Sequence, residues 1–159
     1  MIQATLCFLV DDLPASRVLL GLKQRGLGAG MFNGFGGKVE AGETVLETAV
    51  REMVEESAVQ VNPTDMRQMG QFTFYMPAKP EWDMEVYAYV ATRWTGNPQA
   101  SPEMVPQWFA VTDVPYAQMW ADDAYWLPRV LAGEQLTGVF TFAADNVTLA
   151  SWKLEETRF

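Results

Sequence analysis

Glu52, Glu55 and Glu56 sit three and four residues apart, in a stretch whose apolar residues recur at helical spacing. At about 100° per residue they share one strip of the wheel, beside the apolar half made by Val45, Leu46, Ala49, Val50, Met53 and Val54. Like charges so placed destabilise an isolated helix by about 0.2–0.5 kcal/mol per pair, and the last turns of a helix disfavour anions. The strip is therefore either a solvated acidic face or a cradle for a cation. Carboxylate oxygens with no His or Cys nearby suit a hard divalent ion, Mg²⁺ with Mn²⁺ as its substitute.

The segment leading into this helix carries Gly26, Gly28, Gly30, Gly34, Gly36, Gly37 and Gly42. Such a backbone can turn sharply and approach a ligand, turning N–H groups to phosphate and carbonyls to a cation. Mg²⁺ commonly binds through a few carboxylates plus substrate phosphates, so the combination points to phosphate-ester or pyrophosphate chemistry. It is not a P-loop, because Val39 follows Gly37 and Lys38, and Phe32 stands where the first glycine is required. Nor is it a dinucleotide fingerprint, since Met31 occupies the last glycine position.

A second constellation is Trp120, Asp122, Asp123, Tyr125 and Trp126. One reading makes Asp122 a helix N-cap, Asp123 a first-turn acid and the Trp residues core. The other is a purine pocket, in which aromatic faces stack on the base and two adjacent carboxyls share one proton. A protonated Asp donates and an ionised one accepts, while Asn33 offers both to the other edge of the base.

The elements that must position these residues are read from periodicity. Strands are expected over 5–10, 17–22, 71–76, 84–92 and 107–111, with the first two paired. Helices are expected over 43–57 and 122–132, the second ended by Gly133, and a hairpin joins 138–143 to 147–154. With no repeat or linker to divide it, the sequence reads as one domain over 1–159, of α/β or α+β class, with a mixed sheet between helices. The 159 residues are 49% hydrophobic and carry a net charge of −9, which disfavours a nucleic-acid polymer as partner. Apolar runs are too short for a membrane span, so no membrane association is expected. The lone Cys7 fits a reducing, cytoplasmic setting and reads as core. The absence of histidine excludes Ser-His-Asp triads and His-ligated zinc.

Gly37, Lys38, Val39, Glu40, Ala41, Gly42 and Glu43, then seven residues, then Arg51, Glu52, Met53, Val54, Glu55, Glu56, Ser57, Ala58 and Val59 resemble a Nudix box. Six single-residue positions match (Gly37, Glu43, Arg51, Glu52, Glu55 and Glu56), about 10⁻⁷ or less by chance. Ala58 departs, standing where the pattern has Gly. The likeness continues through Lys23, Arg25, Asn33 and the Trp120 to Trp126 stretch, and is to the MutT-homologue branch of the Nudix hydrolases.

That resemblance implies an α/β/α sandwich hydrolysing a small nucleotide, an oxidised purine nucleoside triphosphate such as 8-oxo-dGTP or 2-hydroxy-dATP, to monophosphate and pyrophosphate. A monomer is expected. The resemblance implies that Glu52, Glu56 and the Gly36 carbonyl hold Mg²⁺, that Glu55 holds the metal or activates water nearby, and that Glu103 reaches the metal site from a loop. Arg51 and Glu43 would orient the acids. Thr5, Lys23, Leu27, Asn33, Phe72, Phe74, Met84, Trp120, Asp122, Asp123 and Trp126 would line the base pocket, although strand core suits Phe72, Phe74 and Met84 when each is taken singly. Alternatives are a Nudix enzyme for another nucleoside-diphosphate derivative and a non-catalytic nucleotide-binding domain.

Overall fold

The computed structural model describes residues 1–159. Eight strands and two helices follow in the order β1 (Ile2–Leu9), β2 (Arg17–Lys23), β3 (Phe32–Asn33), α1 (Val45–Ser57), β4 (Arg67–Tyr75), β5 (Met84–Ala91), β6 (Met104–Ala110), α2 (Asp123–Leu131), β7 (Leu136–Phe142) and β8 (Leu149–Glu156). The larger sheet runs β1-β5-β4-β7-β8, with β1 parallel to β5 and β4 parallel to β7. A smaller antiparallel sheet runs β3-β2-β6. The expected pairing of the first two strands is overturned. β1 pairs in full register with β5, and its only pairing toward β2 is the isolated Val10–Val18 bridge just past its end. Strand periodicity reports a buried face but not the neighbour that covers an edge. The β7–β8 hairpin is as expected.

Helices cover both faces of the larger sheet. α1 packs Ala49 and Met53 onto Cys7, Leu9, Tyr89 and Ala91, while α2 packs Trp126, Leu127 and Val130 onto Phe8, Phe72 and Phe140. The free edge of β1 is closed by the glycine loop through bridges from Ala4 to Lys38 and Cys7 to Phe35. No helix is long and apolar enough to cross a membrane.

α1 starts where the sequence supplies a capping box. The Glu47 N–H donates to Thr44 Oγ1 and the Thr44 hydroxyl donates to Glu47 Oε1, both at 3.1 Å. The buried side of α1 is rotated from the expected one. Val54 is 40% exposed, while Thr48, Glu56 and Ser57 are buried. The glycine loop folds over the end of the helix and covers Glu56, setting Gly36 against its carboxyl. α1 ends at Ala58 in the left-handed conformation, φ 63° and ψ 14°, with the Ala58 N–H donating to the Val54 carbonyl. A Cβ there costs about 1–2 kcal/mol, whereas Gly adds about 0.4–1 kcal/mol of unfolded-chain entropy. Ala58→Gly is therefore expected to stabilise the protein by about 0.5–1 kcal/mol in denaturant unfolding. A loss of stability would mean that Ala58 packing outweighs the strain.

Candidate active site

α1 presents its acids around one guanidinium. Arg51 Nε donates to Glu43 Oε2 at 2.6 Å and Nη2 to Glu43 Oε1 at 2.9 Å. Its Nη1 donates to Glu52 Oε1 at 3.0 Å and to Glu55 Oε2 at 3.2 Å. Glu43 is held down at about 2, first by its hydrogen bonds from Arg51. Arg51 is raised in turn, above all by Glu43. Gly37 lies against Glu52, since a Cβ there would stand 2.5 Å from Glu52 Oε1.

Glu56 is different. It is buried, and its Oε1 accepts from the Gly36 N–H at 2.8 Å. No Lys or Arg pairs with it. Burial pushes its carboxyl up to about 8; the Gly36 bond and Lys23 oppose this, and Glu52 and Glu103 add to it. No backbone N–H reaches the neighbouring Gly36 carbonyl. A buried carboxylate without a counter-charge, beside a free carbonyl oxygen and further acids, is a donor set that fits a hard cation. The acids are not gathered into a closed cage, for no three of them converge on one point. Arg51 engages Glu52 and Glu55. Glu103, expected at the cation, is held by Arg25, with Nε at 2.8 Å and Nη2 at 2.7 Å from its Oε1.

On the opposite face of the sheet a cavity of about 240 Å³ opens between the start of α2, the β2–β3 loop and the β4–β5 strands. Thr5, Lys23, Leu27, Asn33, Phe74, Met84, Trp120, Asp122 and Asp123 line it, as the sequence suggests. Gly36, Gly37 and Lys38 also reach it, so it abuts the acids of α1. Phe72 and Trp126 do not line it. Both are fully buried, with ring centroids 4.6 Å apart, because their strand and helix positions face the core. Trp126 acts from behind the wall, donating its Nε1–H to Asp122 Oδ2 at 2.8 Å. Ala4, Leu6, Gly34, Met76, Val86 and Phe142 complete the wall. Met76 and Val86 share the alternation of Phe74 and Met84, which is a usable signal. Phe142 enters only through the β4–β7 pairing, which has no local signature.

Asp122 makes no capping bond, although it stands at the N-terminus of α2. Burial lifts its carboxyl to about 6 against the bond from Trp126. Asp123 is raised further, by burial first and then by the charge of Asp122. Burial thus favours the neutral form of each carboxyl, and ionisation of Asp122 opposes that of Asp123, so the pair is suited to present one donor beside one acceptor. Thr5 Oγ1, also on the wall, is buried with no hydrogen-bond partner. Asn33 Nδ2 donates to the Met31 carbonyl at 3.2 Å.

Comparison with known proteins agrees with this geometry. The family model described as the NUDIX domain matches residues 3–130. The chain is 42% identical over 156 residues to the mouse oxidized purine nucleoside triphosphate hydrolase, covering 98% of this chain and 97% of the relative. It is 41% identical to the zebrafish protein of the same name, with the same coverage. A MutT protein from Bacillus halodurans superposes with a TM-score of 0.80 at 28% identity, covering 98% of both chains. Nudix hydrolases as a family use divalent cations, and by its box, its fold and its relatives this chain belongs to the Nudix family.

Proposed function

We propose that the chain hydrolyses oxidised purine nucleoside triphosphates, 8-oxo-dGTP and 2-hydroxy-dATP, to monophosphate and pyrophosphate with Mg²⁺, acting as a monomer in the cytoplasm. One observation carries this reading. The uncompensated Glu56 carboxyl and the buried, adjacent Asp122 and Asp123 carboxyls lie at two ends of one site, joined through Gly36 and Gly37. The relatives named as oxidized purine nucleoside triphosphate hydrolases support the same substrate class.

Glu52, Glu56 and the Gly36 carbonyl would hold Mg²⁺, with Glu55 and Glu103 nearby. When bound, the ion neutralises phosphate charge and makes water more acidic. Arg51 holds Glu52 and Glu55 in place. Glu55, more than half exposed and held by Arg51 through Oε2, keeps Oε1 to accept the proton as water attacks phosphorus and the anhydride P–O bond breaks. Lys23 sits on the cavity wall near Glu56 and draws the phosphate chain toward the acids. Trp120 offers a face to the base, Asn33 takes one edge, and the Asp pair reads the other. Thr5 Oγ1 supplies a hydroxyl that a polar ligand atom satisfies.

A panel of oxidised and ordinary nucleoside triphosphates, dinucleotides and nucleotide sugars, followed by pyrophosphate release with Mg²⁺, tests this directly. Oxidised purines are expected to be preferred over ordinary dNTPs. Equal rates on both would end the substrate assignment while leaving a Nudix hydrolase of another nucleoside-diphosphate derivative. A protein that binds these nucleotides without turning any of them over would be a binding module.

A further inference from the structure

Loop 24–31 joins β2 to β3 and contributes Leu27 to the cavity wall. It lays Gly28 against Trp120, where a Cβ would stand 3.2 Å from the indole nitrogen. Its own bonds close it on itself, with Ala29 N–H donating to Gly26 O, Gly30 N–H to Lys23 O and Met31 N–H to Gly28 O. Gly26, Gly28 and Gly30 all have positive φ, near 80°, so little beyond these bonds stiffens it. Lys23 N–H and Asn33 Nδ2 of the flanking strands donate to the Met31 carbonyl, and two contacts fasten the loop to the rest of the fold. The Gln24 N–H donates to the Glu103 carbonyl at 2.8 Å, and the Arg25 guanidinium grips Glu103 Oε1 with two nitrogens. Both contacts end on the same residue, one whose side chain is not in the cavity lining.

We infer that the Arg25–Glu103 pair is a strap that sets the position of this loop at the base-cavity wall, making Arg25 and Glu103 positioning residues for base affinity. This rests on reading the cavity as the base site. Glu103, an acid of the phosphate side, then also governs how well the base is held. The two guanidinium nitrogens take one oxygen of Glu103, so its charge bears on both halves of the site at once. Loosening either partner frees the loop and lowers affinity for the base even when no cation and no phosphate are present.

The test removes both of those confounders. With EDTA present, wild type, Arg25→Ala, Glu103→Ala and the double variant are titrated calorimetrically with 8-oxo-2′-deoxyguanosine, a nucleoside lacking phosphate. An exposed ion pair is worth up to about fivefold in an equilibrium constant. Each single variant is expected to bind up to about fivefold more weakly and the double variant no more weakly than either single, because the two residues act as one unit. Arg25→Lys is expected to recover part of the loss. Amide exchange at Ala29, Gly30 and Met31 is expected to quicken in both single variants, which a defect elsewhere would not produce. Multiplying effects in the double variant, or singles that bind as wild type does, overturn the strap while leaving the cavity's assignment intact. Failure of the wild type to bind the nucleoside overturns the base-site reading, and the strap with it.

Discussion

Glu56→Gln is expected to lower turnover in Mg²⁺ by about 10²–10⁴-fold, the range for losing a group essential to proton and charge handling. The same change is expected to make the cation-free protein more stable than wild type at pH 8.5. The folded carboxyl titrates near 8, raised first by burial, against 4.5 for the ordinary group. Below pH 4.5 both states are neutral at this position and variant and wild type are equal. As pH rises from there through 8, the unfolded chain ionises first, so wild-type stability declines and then levels off. Gln avoids that loss and still accepts from the Gly36 N–H. The gain is on the order of a few kcal/mol. Saturating Mg²⁺ at pH 8.5 is expected to reverse the ranking, because the wild type alone gains the ion's counter-charge at this position. At pH 7 the ion must also displace most of one proton, which calorimetry in two buffers of different ionisation enthalpy reads directly. Wild-type turnover in the variant would remove Glu56 from the chemistry.

Asp122→Asn is expected to cut the preference for oxidised over ordinary purine triphosphates by about 10–100-fold, the worth of a hydrogen bond to a charged group. Turnover of a poor, ordinary substrate is expected to change far less, because the acids of α1 are untouched. Asn keeps an oxygen for the Trp126 Nε1–H, so the wall behind the cavity stays in place. In the wild type the preference is expected to strengthen as pH rises through about 6, where Asp122 loses its proton and the pair changes from two donors to one donor and one acceptor. Competition between 8-oxo-dGTP and dGTP across pH 5 to 8 measures both effects. A preference unchanged by the substitution would return both aspartates to a structural role.

What could be read from the sequence follows the range over which its signals act. The helix carrying Glu52, Glu55 and Glu56 is legible because its signals are contained within a few turns of chain, although it starts at Val45 and not at Glu43; the pairing of Arg51 with Glu43 is as the resemblance implies. The burial of Glu56 was not legible, because it depends on a loop twenty residues upstream folding over the helix. Asp122 and Asp123 were visible as a pair, but only tertiary structure distinguishes a capping carboxylate from a buried one bonded to Trp126. For Phe72 and Trp126 the core reading of the residues matches the structure and the pocket placement that the resemblance implies does not, because an aromatic residue beside a pocket and one behind it have the same local pattern. The β1–β5 pairing joins residues more than eighty positions apart, and nothing local announces it.

The sheet stands between the α1 core and the core that holds most of the cavity wall, and the two halves of the site meet mainly along the glycine loop. Changes at Met76, Met84 or Phe142 can reshape what is accepted without disturbing the side that cuts. A lineage built this way is free to drift toward new damaged metabolites by altering one compartment, and a laboratory selection for altered selectivity would do best to randomise that compartment alone.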